Sequence, residues 1–139
     1  MDIKDYTNDA VALLKELIAI PSISRDERRA ADRLSQYLDM YNLPHGREGN
    51  NLWVGCPDWD NNRPTVMLNA HIDTVKPVSS WTRDPFTATQ EGDTIYGLGA
   101  NDCGGGLVAL LQTYRIMLHR QRNYNLLWVA SAEEEVSGE

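Results

Sequence analysis

The stretch Leu126-Leu127-Trp128-Val129-Ala130-Ser131-Ala132-Glu133-Glu134-Glu135 sets the architecture of this chain, because five apolar residues run almost directly into three glutamates. The apolar part, which includes an aromatic and a β-branched residue, predicts a buried strand. A second apolar run, Val66-Met67-Leu68, leads in the same way into His71. Both polar clusters should therefore emerge at the C-terminal ends of strands, the edge where ligands bind in open α/β sheets.

Helical periodicity accounts for much of the remaining chain. Apolar residues spaced by three and four predict a first helix from about Thr7 to Ile18. Ser24-Arg25-Asp26-Glu27 has the pattern of a capping box and predicts the start of a second helix, which Asn42 and Pro44 end. A third, amphipathic helix should follow Gly104 to Gly106. Further strands are predicted at 52–54, 65–68 and 94–96, and a turn at 46–51.

The order of these elements predicts an α/β fold with a mixed or largely parallel sheet and helices on both faces. A chain of 139 residues, 42% of them hydrophobic, can build one modest domain. Residues 133–139 have the character of a loop that follows a central strand, with no closing helix or strand behind it. We therefore expect residues 1–139 to be the N-terminal portion of a domain that is truncated at this point.

The net charge and the targeting signals limit which classes of partner the protein can bind and in which compartment it is expected. A net charge of −7 argues against nucleic acid or an anionic membrane as a partner, since both repel an acidic surface. The N-terminus has no secretory signal pattern, and the longest apolar runs are too short to span a bilayer. We expect a cytoplasmic protein in which Cys56 and Cys103 are thiols rather than a disulfide.

Three clusters carry residues suited to metal chemistry: His71-Ile72-Asp73, Asn101-Asp102-Cys103 and Glu133-Glu134-Glu135. In an extended chain His71 and Asp73 lie on the same side, so the Asp73 carboxylate can hold the imidazole in one tautomer. Among adjacent glutamates, one can bind a cation while its neighbour acts as general base on water. Imidazole with carboxylates suits zinc, with cobalt or manganese as alternatives. The pattern favours metal-assisted hydrolysis.

Each cluster also has a simpler interpretation. His71 can be a histidine that is hydrogen-bonded within a loop, and Asp102 can be the N-cap of the helix that follows it. The three glutamates can form a solvated acidic loop. The glycines around Asp102 also allow a phosphate cradle, although their spacing matches neither the dinucleotide-binding pattern nor the P-loop pattern.

Taken together, the motifs resemble the M20 metallopeptidase family over nearly the whole chain. In chain order they are Ile20-Pro21-Ser22-Ile23-Ser24, His71-Ile72-Asp73-Thr74-Val75, Trp81 with Asp84-Pro85-Phe86, Gly92 to Asp102, and Ala132-Glu133-Glu134-Glu135. The sequence departs from the family at Leu98, where arginine is common, and at Cys103-Gly104, where a Met-Lys pair is common.

The resemblance implies a site with two metal ions, expected to be zinc. It implies that His71 binds one zinc, Asp102 bridges both, Glu135 binds the second zinc, Glu134 is the general base and Asp73 orients His71. A register shifted by one residue, with Glu133 as the base and Glu134 as the ligand, stays open. The family's remaining ligands, one carboxylate and one histidine, are expected beyond residue 139.

Within the family, the segments His71 to Pro77, Asn123 to Leu126 and Glu133 to Gly138 most resemble the acetylornithine deacetylase-like branch. That branch implies deacylation of a small N-acyl amino acid, N-acetylornithine or N-succinylornithine, in arginine biosynthesis. A dipeptidase, a succinyl-diaminopimelate desuccinylase and a non-catalytic relative are alternatives. The family also implies an inserted domain, absent from these residues, that often mediates dimerisation. We therefore expect a homodimer of the full-length protein, and no turnover by this chain alone.

Overall fold

Three helices and six strands form the fold of residues 2–138, which a computed structural model describes. The helices are α1 (Ile3–Ile18), α2 (Arg28–Met40) and α3 (Gly106–Met117). The strands are β1 (Gly46–Glu48), β2 (Asn51–Gly55), β3 (Thr65–His71), β4 (Thr89–Glu91), β5 (Thr94–Tyr96) and β6 (Asn125–Ser131). An irregular helical turn (Ala100–Gly105) precedes α3, and a 3-10 turn (Glu134–Val136) follows β6. Among these residues, no helix combines the length and the apolar character needed to cross a membrane.

Four of the strands form one mixed sheet in the order β1-β2-β6-β3. Strand β2 runs antiparallel to both β1 and β6, whereas β3 runs parallel to β6. Parallel neighbours need a long crossover, and the chain between β3 and β6 contains α3. Strands β4 and β5 form a separate antiparallel hairpin. The predicted α/β class and mixed sheet are confirmed.

One face of the sheet is buried against the helices. Alternate residues of β2 and β6 form this face: Leu52, Val54, Leu126, Trp128 and Ala130. They share one hydrophobic cluster with residues of all three helices. The intervening residues point to the opposite face, where Trp53 is 39% exposed and Met67 is 57% exposed. We expected helices on both faces; across residues 2–138 all three pack into the cluster on the first face.

Helix α1 begins earlier than its apolar pattern predicts. It starts at Ile3 rather than at Thr7, because Asp2 and Asp5 form a capping box. The Asp2 carboxylate accepts a hydrogen bond from the Asp5 amide at 3.0 Å, and the Asp5 carboxylate accepts one from the Asp2 amide at 2.9 Å. These bonds satisfy backbone donors that the first helical turn leaves free. The first turn of α1 is therefore stabilised by polar residues that carry no periodic signal.

The capping box predicted at Ser24 is wrong. The Ser24 hydroxyl donates to Asp73 at 2.6 Å, and α2 begins at Arg28 without a hydrogen bond from any side chain at its cap. The predicted turn at 46–51 is also only partly correct. Strand β1 occupies its first half, and the reversal is confined to Gly49 and Asn50, with Gly49 at a φ of 58°.

A half-buried polar contact joins the three helices. Arg115 of α3 donates to the carboxylate of Asp9 on α1 at 2.9 Å, and Tyr41 at the end of α2 donates to the same oxygen at 2.7 Å. The Arg115 guanidinium also stacks on the Tyr41 ring, 3.5 Å from its centroid. One carboxylate thus ties one residue from each of the other two helices to α1.

This contact should be visible in the titration of Tyr41. Burial, followed by the hydrogen bond to Asp9, raises the pKa of Tyr41 to about 12 from an ordinary value of about 10. Because the folded state favours the neutral phenol, Tyr41 contributes stability below pH 10 that is lost as the pH rises toward 12. Replacing Asp9 by asparagine should lower the pKa of Tyr41, which NMR titration of isotope-labelled tyrosine rings measures. The control is Glu16→Gln, whose carboxylate pairs with Arg33 instead; an ordinary Tyr41 pKa in the unaltered protein would contradict the prediction.

Candidate metal centre

The parallel pairing of β3 with β6 brings two of the predicted clusters to the same edge of the sheet. His71, the last residue of β3, lies opposite Ser131, the last residue of β6. The glutamates follow Ser131 after a single alanine. The ends of the two strands therefore deliver the imidazole and the acidic turn side by side, as the sequence predicts.

The His71 imidazole is buried, and its two nitrogens have different neighbours. Nδ1 lies 2.8 Å from the backbone carbonyl oxygen of Asp73. A carbonyl can only accept, so Nδ1 carries the proton in that bond. Nε2 lies 3.1 Å from Oδ1 of Asp102 and 3.7 Å from Oε2 of Glu134. Nε2 is thus the atom that the imidazole offers to a ligand shared with the carboxylates.

The carboxylates around His71 also change its proton affinity. Burial disfavours the imidazolium, but the hydrogen bond to the Asp73 carbonyl and the one to Asp102 outweigh burial and raise the pKa of His71. Several negative groups that surround one imidazole create a place where a cation is stabilised. The same negative groups would stabilise a bound divalent metal ion.

Asp73 contacts His71 through a different atom from the one that we expected. The backbone carbonyl of Asp73 is the close partner of His71, and the Asp73 carboxylate stands farther away, at 3.4 Å from Nδ1. The carboxylate is fully buried and accepts from Ser24 at 2.6 Å, from the Glu134 amide at 3.0 Å and from the Glu135 amide at 3.1 Å. Burial opposes ionisation, but these hydrogen bonds outweigh it and lower the pKa of Asp73.

The segment that contains Ser24 lies beside the segment that contains Asp73. The Ser24 amide donates to the Thr74 carbonyl at 3.1 Å, and the Thr74 amide donates to the Ser22 carbonyl at 2.9 Å. Two motifs that are far apart in the sequence are therefore adjacent in the structure. Ser24 belongs to the support of the site rather than to the cap of α2.

Asp102 is not the N-cap of the helix that follows it. It lies within the irregular turn, Gly105 occupies the N-cap position, and the Asp102–Cys103 peptide is cis. The Asp102 side chain is 73% exposed apart from its contact with His71. Gly104 closes the turn through its amide, which donates to the Gly99 carbonyl at 2.8 Å, and a Cβ at this position would lie 2.6 Å from that oxygen. The glycines here allow a close turn of the backbone.

The three glutamates do not point the same way. Glu133 has a left-handed backbone conformation with a φ of 61°, and its carboxylate lies 3.9 Å from the Arg25 guanidinium. Glu134 and Glu135 instead each offer an oxygen within 4.8 Å of a nitrogen of His71. The donor atoms of His71, Asp102 and Cys103 meet the same limit.

These two groups fit a metal of the zinc type. Imidazole nitrogen, carboxylate oxygen and thiol sulfur are the donors that zinc accepts, and His71 is common to both groups. The bond from Nδ1 to a backbone carbonyl is the outer contact that metal-binding histidines usually have. Cys103, a half-buried thiol, was not among the predicted ligands.

Sequence reasoning missed one buried acid close to these groups. Glu27 is completely buried and accepts a hydrogen bond from the Glu133 amide at 3.0 Å. Its spacing from Ser24 suggested a helix cap, and no local pattern indicates a partner so far along the chain. Sequence periodicity predicts which apolar residues are buried, but it gives no indication that a particular glutamate is buried.

Comparison with known proteins identifies relatives along the chain. The profile of "Peptidase family M20/M25/M40" matches residues 67–139. An acetylornithine deacetylase of Edwardsiella ictaluri is 32% identical over 91% of this chain and 36% of its own length. A succinyl-diaminopimelate desuccinylase of Blochmanniella floridana is 28% identical over 94% of this chain and 36% of its own length.

A solved structure agrees with these sequence matches. The M20 family metallo-carboxypeptidase Sso-CP2 of Sulfolobus solfataricus superposes with a TM-score of 0.74 at 26% identity. The match covers 98% of this chain and 32% of that structure. The chain thus spans about a third of the length of the proteins that it resembles.

Proposed function

Because this chain belongs to peptidase family M20/M25/M40, we propose that it carries the first part of a two-zinc site that hydrolyses an N-acyl amide on an amino acid. In this proposal His71 binds one zinc, Asp102 bridges the two zincs and Glu135 binds the second. Glu134 is the general base, and Asp73 orients His71. Cobalt or manganese would fit the same donors.

The observation that supports this proposal most is the convergence on His71. Nε2 of His71 lies within 3.7 Å of carboxylate oxygens from two segments that are remote in the sequence, Asp102 and Glu134. Carboxylates that converge on one imidazole repel each other, and a divalent cation shared between them would offset that repulsion more fully than a single imidazolium. The arrangement is therefore better explained by a ligand that these groups share.

The orientation of the glutamates supports Glu134 and Glu135 over the register shifted by one. The carboxylate of Glu133 is paired with Arg25, whereas those of Glu134 and Glu135 lie near His71. A general base needs to reach a water beside the metal without being tied to another cation. Glu134, whose side chain is 59% exposed, meets this requirement.

Each residue has a defined part in the proposed hydrolysis. Two bound zinc ions would polarise the amide carbonyl and lower the pKa of water. Glu134 takes a proton from the water that attacks the carbonyl carbon and returns it to the amine nitrogen as the carbon–nitrogen bond breaks. Asp73 keeps the proton of His71 on Nδ1, so Nε2 retains its lone pair for the metal.

For the substrate we propose N-acetylornithine or N-succinylornithine. The acetylornithine deacetylase of Edwardsiella ictaluri supports this choice at 32% identity. The second candidate is succinyl-diaminopimelate, which a relative of 28% identity supports over nearly the same share of the chain. Both reactions release an amino group and a carboxylate, so the same residues of this chain serve either one.

We also propose that the site is completed by one carboxylate and one histidine from sequence outside these residues. "Full-length protein" below means this chain with whatever sequence accompanies it in the intact protein. A homodimer of the full-length protein, which the family resemblance implies, and a cytoplasmic location are part of the same proposal.

The test is a substrate panel with zinc-loaded full-length protein. We expect kcat/KM for an N-acylornithine to exceed the values for succinyl-diaminopimelate and a dipeptide by at least about tenfold, since a site that hydrogen-bonds the polar groups of one substrate rejects substrates that lack them. Release of the free amine measures the rate. A highest kcat/KM with succinyl-diaminopimelate would favour the second candidate. If none of the substrates is hydrolysed, the proposal that the full-length protein is an enzyme is contradicted. As a control, residues 1–139 alone should bind zinc weakly and show no turnover.

A further inference from the structure

Four consecutive backbone amides in the turn after β6 donate to side-chain oxygens from other elements. The Ala132 amide donates to Asn51 at 2.8 Å, and the Glu133 amide donates to Glu27 at 3.0 Å. The next two amides both donate to Asp73, at 3.0 and 3.1 Å. The path of this turn is therefore set by three side chains that lie outside it.

Glu27 is the least expected of these three side chains because it is a completely buried acid. The oxygen that accepts from the Glu133 amide also accepts from the Arg25 amide at 2.9 Å. The other oxygen accepts from the side-chain amide of Asn50 at 3.3 Å. All three partners are donors, and a carboxylate is the side chain that offers only acceptors. Burial of the acid is offset by these bonds.

Supporting α2 does not account for the side chain of Glu27. This residue occupies the N-cap position of α2, yet its carboxylate makes no hydrogen bond with the free amides of the first helical turn. Its oxygens are turned instead toward the Gly49–Asn50 reversal and toward the turn after β6. A helix-capping role would require the opposite orientation.

We propose that Glu27 is a positioning residue for the turn after β6, which carries Glu134 and Glu135. It positions this turn through the hydrogen bond that it accepts from the Glu133 amide. This bond holds Glu133 in its left-handed conformation, with its own side chain turned toward Arg25. The two residues that follow then present their carboxylates toward His71. Glu27 does not itself reach the metal ligands. The proposal rests on the function proposed above for Glu134 and Glu135.

The substitution Glu27→Gln tests this role because it keeps the size and shape of the side chain while it replaces one acceptor oxygen by a donor and removes one negative charge. The new NH₂ group would face either the side-chain NH₂ of Asn50 or the backbone amides of Arg25 and Glu133. All of these groups are donors, so the NH₂ group would lack an acceptor in either orientation. We expect the zinc affinity and the kcat of the full-length protein each to fall about 10- to 100-fold, the usual effect of losing an outer contact of a metal site. The kcat should change more than the KM, because Glu134 in this turn acts on the transition state as the general base.

A compensating change should restore the site. In the double variant Glu27→Gln/Asn50→Asp, the new NH₂ group regains an acceptor at position 50, while the remaining oxygen still accepts from the Arg25 and Glu133 amides. Asn50 accepts from Arg47 at 3.4 Å, and an aspartate at this position preserves that bond. The double variant also restores the negative charge that Glu27→Gln removes, so recovery of zinc affinity would show that the pair of side chains at positions 27 and 50 supports the site. A general loss of packing would not be repaired by it.

Calorimetric zinc titration and steady-state kinetics measure these outcomes, with thermal unfolding of the metal-free protein alongside. The matched control is Val54→Ala, which loses buried volume in β2 and should lower stability without weakening zinc. Zinc binding and turnover in Glu27→Gln that equal those of the unaltered protein would overturn the proposal, as would a double variant without recovery. If Glu27→Gln does not fold, Asn50→Ala replaces it, and unchanged zinc affinity in that variant overturns the proposal. If the unaltered protein binds no zinc, the proposed function itself fails.

Discussion

Replacing Glu134 by alanine in the full-length protein should lower kcat by about 10²- to 10⁴-fold, the usual contribution of a positioned general base. Zinc should still bind, because the proposed ligands are His71, Asp102 and Glu135. The turn should also persist. Its amide at position 134 is held by the Asp73 carboxylate, and this bond does not involve the substituted side chain. Steady-state kinetics and zinc stoichiometry on the same preparation measure both parts of the result.

Glu133→Ala is the matched control, since it removes a carboxylate from the same turn. The Glu133 side chain makes a long ion pair with an Arg25 side chain that is 69% exposed, and such pairs contribute little. We expect kcat to stay within about twofold of the unaltered value, because the loss of such a surface contact is worth at most about 1 kcal/mol of stability. If Glu133→Ala loses activity and Glu134→Ala retains it, the register shifted by one residue is correct and Glu133 is the base.

The substitution Asp102→Asn should separate metal binding from folding. The Asp102 side chain is 73% exposed and contacts the rest of the chain at His71, so the free energy of unfolding of the metal-free protein should change by less than about 0.5 kcal/mol. Zinc affinity should fall by at least about 100-fold, because even an outer contact of a metal site is worth 10- to 100-fold. Urea unfolding and calorimetric zinc titration provide the two measurements.

Asp26→Asn serves as the control for Asp102→Asn, because Asp26 is an exposed acid outside both groups of candidate ligands. It removes the same formal charge and should leave zinc affinity unchanged. Undiminished zinc binding by Asp102→Asn would remove Asp102 from the site. Equal losses in both variants would show that net charge, rather than coordination, governs the affinity.

The elements that carry the candidate site could be predicted from periodicity. The apolar run from Leu126 to Ala130 lies within β6, and α3 begins at Gly106, the last of the three glycines that were predicted to precede it. Each of these elements buries a regular stripe of its own residues, so its signal is local. His71 and the glutamates come to the same edge because β3 and β6 are parallel and end side by side, although β3 is buried only at its end, at Ala70 and His71.

Contacts between remote segments could not be predicted in the same way. Ser24 and Glu27 have the spacing of a capping box, yet their side chains bond to groups that lie 49 and 106 residues farther along the chain. A four-residue pattern carries no information about such partners. Asp73 illustrates a finer limit: the residue was identified, but whether its carbonyl or its carboxylate meets His71 depends on the backbone angle after β3.

The four backbone amides of the turn after β6 that donate hydrogen bonds to side chains elsewhere also determine how this turn tolerates mutation. Its course is fixed through main-chain groups that every residue except proline possesses. Side chains at positions 134 and 135 can therefore be exchanged without a change in the course of the turn, whereas position 133, at a φ of 61°, disfavours β-branched residues. Evolution or protein engineering can therefore change the reactive side chains at this sheet edge while the hydrogen bonds that hold the backbone of the turn are kept.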